Sequence, residues 1–282
     1  MQRSVLIAGC GFVGLPVARK LLEAGWQTYA ITKSESSAKK LRSESFHVHG
    51  LDLRDADALH LLPRRNFDVV IHCASSGRGN IQDYQAVYFE GVKNLMANLE
   101  YENLIFCSST SVYAQTDGSW VDESAAAEPT RETGRVLRDA EELVLAANGT
   151  VARLSGLYGP GRCVPLQKLL DGQATIEGDG TRVMNALHQL DAAGALHFLA
   201  TIKSAGIVNV TDNLPVREID WYRYVCSRLN RPLPPMGPRN LGRKRGWTSK
   251  HVSNQRLRSF GWEPIYPTFK EGLEAMLEPA RT

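Results

Sequence analysis

"SVLIAGCGFVGLPVARK" (residues 4–20) decides how the rest of the chain is read. It opens on a short apolar, β-branched run and passes through "GCGFVG" (9–14) into "LPVARKLLEAG" (15–25), whose apolar residues recur with helical period. A GxGxxG pattern alone is a weak signal. Placed after a strand and at the start of a helix, it is the cradle of a dinucleotide. Gly9 permits the tight turn, Gly11 lets the backbone approach a pyrophosphate, and Gly14 lets helix and strand pack closely. The amino end of the helix then favours the phosphate charge.

The same stretch has the cation and apolar run of a signal peptide. Three glycines and a proline interrupt it, and it is too short to span a bilayer. A cytoplasmic protein with no membrane partner is expected. The 282 residues carry 33 Lys+Arg against 30 Asp+Glu, so no strong field points to a nucleic acid. Five cysteines with no CxxC pair argue against a disulfide framework and for a reducing compartment. No metal site is expected.

Further strands are predicted at 27–32, 47–55, 68–75, 103–109 and 150–156, with a long amphipathic helix at about 82–99 and another at 134–148. On the latter, Val136, Leu137, Ala140, Leu143, Val144 and Ala147 form one apolar stripe. Strands alternating with helices define an α/β fold: a Rossmann-type, doubly wound parallel sheet with helices on both faces. After residue 160 prolines and glycines punctuate and strands become sparse. Residues 161–282 are read as a small C-terminal substrate-binding cap without an independent core, and 1–160 as the dinucleotide domain. Residues 185–212 are expected to return to that domain, 231–242 to be loop, and 269–277 to form a last helix.

The second strand ends "ITKS". A site for NAD(H) places an acid here for the ribose 2′-hydroxyl. Thr32, Lys33 and Ser34 instead suit a 2′-phosphate, so NADP(H) is favoured over NAD(H). Asp52 is placed to meet an adenine or ribose, or to cap the turn before "LRDAD". Cys10, Cys73 and Cys107 fall at strand ends, as small residues where a cofactor packs closely.

"AGCGFVG", "LDLRD", "HCASS", "CSSTSVY", "RLSGLYGPGR", "ALHQLDAAGAL" and "VNVTDNLPV" together resemble the extended short-chain dehydrogenases/reductases, the superfamily of sugar-nucleotide epimerases and dehydratases. The resemblance implies a sheet of about seven strands. It also extends the cofactor set to Phe12, Val13, Leu53, Ala74 and Ser75. In that family a Ser or Thr holds the substrate oxygen, and a Tyr exchanges a proton as hydride moves. A Lys four residues later, on the same helix face, lowers the phenol pKa. Ser109, four residues before Tyr113, matches the hydroxyl. The positions of the Tyr-Lys pair hold Thr133 and Leu137.

An aliphatic hydroxyl is a poor acid or base near neutral pH. Tyr113, Tyr158, Cys163 and His188 are the candidate substitutes. Ser111, Tyr158 and Arg162 lie where the family binds substrate, and His188 precedes Asp191 by three on one expected helical face. Thr110 and Ser111 stand where dehydratases carry Asp-Glu, which disfavours dehydration, and Tyr88 lies near the place of a family asparagine. Loss of the pair, with "SSTSVY" and "GRVLRDAE", resembles the atypical YeeZ-like group. The basic stretch 239–250 reads as a solvated loop or as a clamp on a phosphate-bearing, nucleotide-linked substrate. Two function classes follow. One is an NAD(P)-dependent oxidoreductase or epimerase on a small molecule, monomeric or homodimeric. The other is a cofactor-holding sensor or scaffold.

Overall fold

The computed structural model describes residues 2–77, 79–243 and 246–277. These divide into two compact units. The first comprises residues 1–109, 132–153 and 192–208, and the second 110–131, 154–191 and 209–282.

The first unit is built on β1 (Ser4–Ala8), β2 (Gln27–Thr32), β3 (His47–Gly50), β4 (Asn66–His72), β5 (Glu100–Ser109), β6 (Thr150–Leu154) and β7 (Gly206–Val210). They form one seven-stranded sheet in the order β7-β6-β5-β4-β1-β2-β3. β1 pairs in parallel with both β2 and β4, β2 with β3, and β4 with β5. Every residue of β1 and β6 is buried, which is why neither shows a period-two pattern. The strand order reverses at β1, and the crevice beyond the carboxyl ends of β1 and β4 is where such sheets take ligands.

Its helices are α1 (Gly14–Glu23), α2 (Glu35–Lys39), a composite α3, α4 (Glu132–Ala146) and α5 (Gln189–Ile202). α3 is α-helical over Ile81–Tyr84, π-helical over Gln85–Glu90 and α-helical again over Gly91–Asn98. α4 buries Thr133, Gly134, Val136, Leu137, Ala140, Glu141 and Val144. The expected stripe is corrected at two places. Ala147 lies past the helix end and is exposed, and the charged Glu141 is buried.

The second unit uses paired strands of two or three residues. It has helices at Val164–Leu170, Glu218–Leu229, Gln255–Ser259 and Phe269–Leu277. Contrary to expectation it has an apolar cluster of its own, in which Ile219, Trp221, Tyr222, Val225 and Cys226 meet Leu166, Leu169, Ile176, Phe269 and Leu273. The reason is the helix Glu218–Leu229, whose buried residues recur at helical spacing.

Candidate functional site

The glycine turn after β1 is held by two amides, Gly9 N and Cys10 N, which donate to the Ile31 carbonyl at 3.0 and 2.9 Å. Gly9 has φ +103°, and a Cβ there would lie 2.3 Å from Ala74 N. A Cβ on Gly14 would lie 2.2 Å from the Gly9 carbonyl oxygen. Gly11 differs, because a Cβ there would meet nothing within 4 Å. Neither folding nor packing demands glycine at that position, whereas a ligand lying against the backbone does. α1 starts on Val13 with no side-chain cap; Leu15 N donates to the Gly11 carbonyl at 2.9 Å and Pro16 carries no N–H, so what the amino end of the helix offers an anion is chiefly its dipole. Phe12 is half-buried and Val13 buried beside the turn. The Cys10 thiol is pushed up to about 12, chiefly by burial, and stays neutral.

A cavity of about 60 Å³ adjoins the turn, lined by Gly9, Thr32, Lys33, Asp52, Leu53, Arg54, Ala74, Ser75 and Val87 among others. Thr32 is buried and its hydroxyl donates to Ser34 O at 3.2 Å. Ser34 caps α2 by accepting from Ser37 N at 3.3 Å. Lys33 is the exposed member of the three. Asp52 both caps its turn, accepting from Arg54 N at 3.1 Å, and forms a forked pair with the Arg54 guanidinium. That guanidinium holds the Asp52 carboxyl below its usual range. Arg54 was not anticipated, and the alternation in "LDLRD", which sets the two charges two residues apart, is the signal that carries it.

At the end of β5 successive side chains face opposite ways. Ser109 is buried at the carboxyl edge. Ser108 turns to α4, where its hydroxyl donates to Glu141 Oε1 at 2.5 Å. Glu141 also accepts from Arg153 Nε and Nη2 at 3.0 and 2.7 Å and pairs with Arg138. Thr133 and Leu137 share the buried face of α4 with Glu141, two turns and one turn away respectively. Cys73 and Cys107 bring their sulfurs to 3.5 Å, and the Cys73 thiol is raised first by that contact and then by burial.

The other expected site residues belong to the second unit. Ser111 is half-buried. Tyr113 is fully buried, its hydroxyl 2.9 Å from both the Asp122 carbonyl and Asn209 Oδ1, as a strut of the interior. Tyr158 is buried with its hydroxyl against Gly272, where a Cβ would lie 2.0 Å away. Burial, then Asp212 and Asp191, raise its phenol far above the usual range. Burial also raises the Cys163 thiol. Arg162 is exposed.

His188 and Asp191 do not share a helical face, because His188 closes a short strand and α5 begins only at Gln189. His188 Nδ1 accepts from Leu190 N at 3.2 Å, and burial lowers its pKa to about 4. Asp191 accepts from the Ile265 and Tyr266 amides, and burial raises it to about 6.

A larger cavity of about 380 Å³ lies within the second unit, lined by Glu177, Arg182, Arg239, Trp247, Ser249 and His251 among others. Burial works to raise the Glu177 carboxyl, but the guanidiniums of Arg243 and Arg182 outweigh it and hold it low. Arg239 stacks over Trp247 at 4.7 Å. Of the basic stretch, Lys244 and Arg245 lie outside the described residues.

A glycine turn of this geometry, at the switch point of a seven-stranded sheet in this order, defines a Rossmann-type, NAD(P)-binding protein. The chain belongs to the NAD dependent epimerase/dehydratase family, whose model matches residues 5–211. It is similar to protein YeeZ of Escherichia coli (strain K12), 29% identical over 278 residues that cover 94% of this chain and 97% of that one. It is also similar to a 3-diazoavenalumate denitrifying reductase of a Streptomyces species, 27% identical over 95% of this chain and 98% of that protein. A solved structure from Methylobacillus flagellatus, provisionally assigned as an NAD-dependent epimerase/dehydratase, aligns with a TM-score of 0.80. It is 27% identical, with 98% of each chain covered. The resemblance to the YeeZ-like, atypical short-chain dehydrogenases/reductases stands. The chain is an epimerase/reductase-like protein of unknown substrate.

Proposed function

We propose that the protein is an NADP(H)-dependent oxidoreductase or epimerase acting on a small anionic molecule, with the dinucleotide held by the first unit. The observation that carries the cofactor reading is Gly11, a glycine with open space where its Cβ would stand. The glycine turn with Phe12 and Val13 takes the pyrophosphate, with Ser75 beside it, and Asp52, Leu53 and Ala74 line the adenosine side. Bound there, the nicotinamide supplies or accepts hydride.

Lys33 supports NADP(H), being an exposed cation at the end of β2 where an NAD(H) site carries an acid. Thr32 and Ser34 are spent on the turn and cap of the same segment, so Lys33 carries that preference. Ser109 is assigned the substrate oxygen. Thr133 and Leu137 supply no efficient proton donor, so turnover of ordinary family substrates is slow. General acid–base catalysis is worth about 10²–10⁴-fold. The arginines of the larger cavity and Arg162 support an anionic, nucleotide-linked substrate. Leu137, 1% exposed where the family needs an ammonium, favours the second reading, a sensor that holds cofactor without turning it over.

Calorimetric titration decides the cofactor. NADPH is expected to bind more tightly than NADH, and Lys33→Asp to reverse the order. A clear NADH preference in the unmodified protein refutes the assignment of Lys33. Single-turnover hydride transfer to a panel of nucleotide sugars, with Ser109→Ala as control, separates enzyme from sensor.

A further inference from the structure

The helix that follows β4 widens into a π-turn at Gln85–Glu90, an irregularity that concentrates at functional sites. Its register is tied to the sheet. His72, fully buried at the end of β4, lies with Nε2 3.0 Å from the Val87 carbonyl. Burial keeps this imidazole neutral, and Nε2–H donates to that oxygen. The next residue, Tyr88, is thereby fixed among the rings of His72, Tyr84 and Phe106, with only 4% of its surface exposed.

Its hydroxyl stands 3.4 Å from Ser75 Oγ, and the Gly77 amide donates to the same oxygen at 3.2 Å. Ser75 is exposed and lines the small cavity with Gly9, Lys33 and Ala74. Both acceptor positions of Ser75 therefore face donors from the protein, and its own hydrogen remains to be given outward. Ala74, the neighbouring residue, abuts Gly9 in the turn assigned to the pyrophosphate. A hydroxyl that already accepts two hydrogen bonds is a stronger donor, because bonds in a chain polarise one another.

We propose that Tyr88, acting through Ser75, is a positioning residue of the dinucleotide groove: the phenol orders the Ser75 hydroxyl so that its hydrogen meets an oxygen of the cofactor's pyrophosphate bridge. This rests on the cofactor reading above. It assigns a task to a tyrosine that stands where the resemblance would place an asparagine, and it gives the π-turn a reason, since the turn is what aims Tyr88 at the sheet edge.

Titrating NADPH, and separately adenosine 2′-monophosphate, which lacks the bridge, tests it. Tyr88→Phe keeps the ring and is expected to weaken NADPH roughly 3- to 10-fold, the worth of one hydrogen bond, while leaving adenosine 2′-monophosphate unchanged. Ser75→Ala is expected to weaken NADPH at least as much, and the double variant no further than Ser75→Ala alone, because the two act as one chain. Unchanged NADPH affinity in either single variant overturns the inference. So does an equal loss for both ligands, which marks a general slackening of the groove. An unmodified protein that binds neither NADPH nor NADH overturns the cofactor reading and this inference with it.

Discussion

Glu141→Ala is the perturbation whose cost the structure states most directly. Glu141 is fully buried on α4, and its carboxylate receives Ser108 from β5, both arms of Arg153 from β6, and Arg138 from its own helix. Arg153 is 1% exposed, so removing the acid takes two charge-assisted hydrogen bonds from a guanidinium held in the interior. Breaking a buried pair by deleting one partner costs about 3–5 kcal/mol, mostly the penalty of the charge left behind. The loss is expected in urea unfolding followed by far-ultraviolet circular dichroism. Replacing both partners with apolar residues, Glu141→Leu with Arg153→Met, is expected to return most of it, since a well-packed apolar pair often matches a buried ion pair. A loss below about 1 kcal/mol for Glu141→Ala refutes the reasoning, because a burial penalty of this kind scales with desolvation and cannot vanish while Arg153 stays inside. Equal losses for the single and double variants refute it as well.

Gly14→Ala places a Cβ 2.2 Å from a carbonyl oxygen and 3.0 Å from Ile7 Cγ2, so overpacking of about 1–3 kcal/mol is expected by the same urea assay. The pH dependence of stability is set in part by two neighbours of opposite sign. Asp191, raised to about 6, makes stability fall as pH rises from about 4 to 6, because the unfolded chain ionises first. His188, lowered to about 4, makes stability rise between about 4 and 6.5, because the unfolded chain holds the proton longer. The two offset each other in the native protein. Relative to it, Asp191→Asn is expected to steepen the gain in stability from pH 4 to 6.5, and His188→Gln to reverse it. Denaturant midpoints across that range check both, and parallel curves for all three proteins contradict the assignment.

The first half of the fold was legible because its signals are local. A β-branched run, a glycine turn and a periodic helix each declare themselves within a dozen residues, and the strands at 27–32 and 103–109 follow in kind. Glu141 was not legible. A glutamate on an apolar stripe is buried only because Arg153, twelve residues on and in another strand, neutralises it. The helix Glu218–Leu229 was hidden differently. "EIDWYRYVCSRL" is rich in aromatic and β-branched residues that propensity assigns to strands, and tertiary burial of Ile219, Trp221, Tyr222 and Val225 overrides that preference. The π-turn has no sequence signature, since its register depends on His72 reaching in from β4. In the site, Gly9, Gly11 and Gly14 were readable from spacing alone, whereas the diversion of Thr32 and Ser34 into local hydrogen bonds required coordinates.

Gly11 is where the account is most exposed to a single measurement. A Cβ at this position meets no protein atom within 4 Å, so Gly11→Val is expected to leave the fold intact and to fill the space reserved for the pyrophosphate. Calorimetric titration of NADPH into this variant, with its urea midpoint recorded alongside, is expected to give native-like stability and no detectable binding, against clear binding by the unmodified protein. Native-like stability together with unchanged NADPH affinity would contradict the claim that the turn after β1 is a dinucleotide cradle.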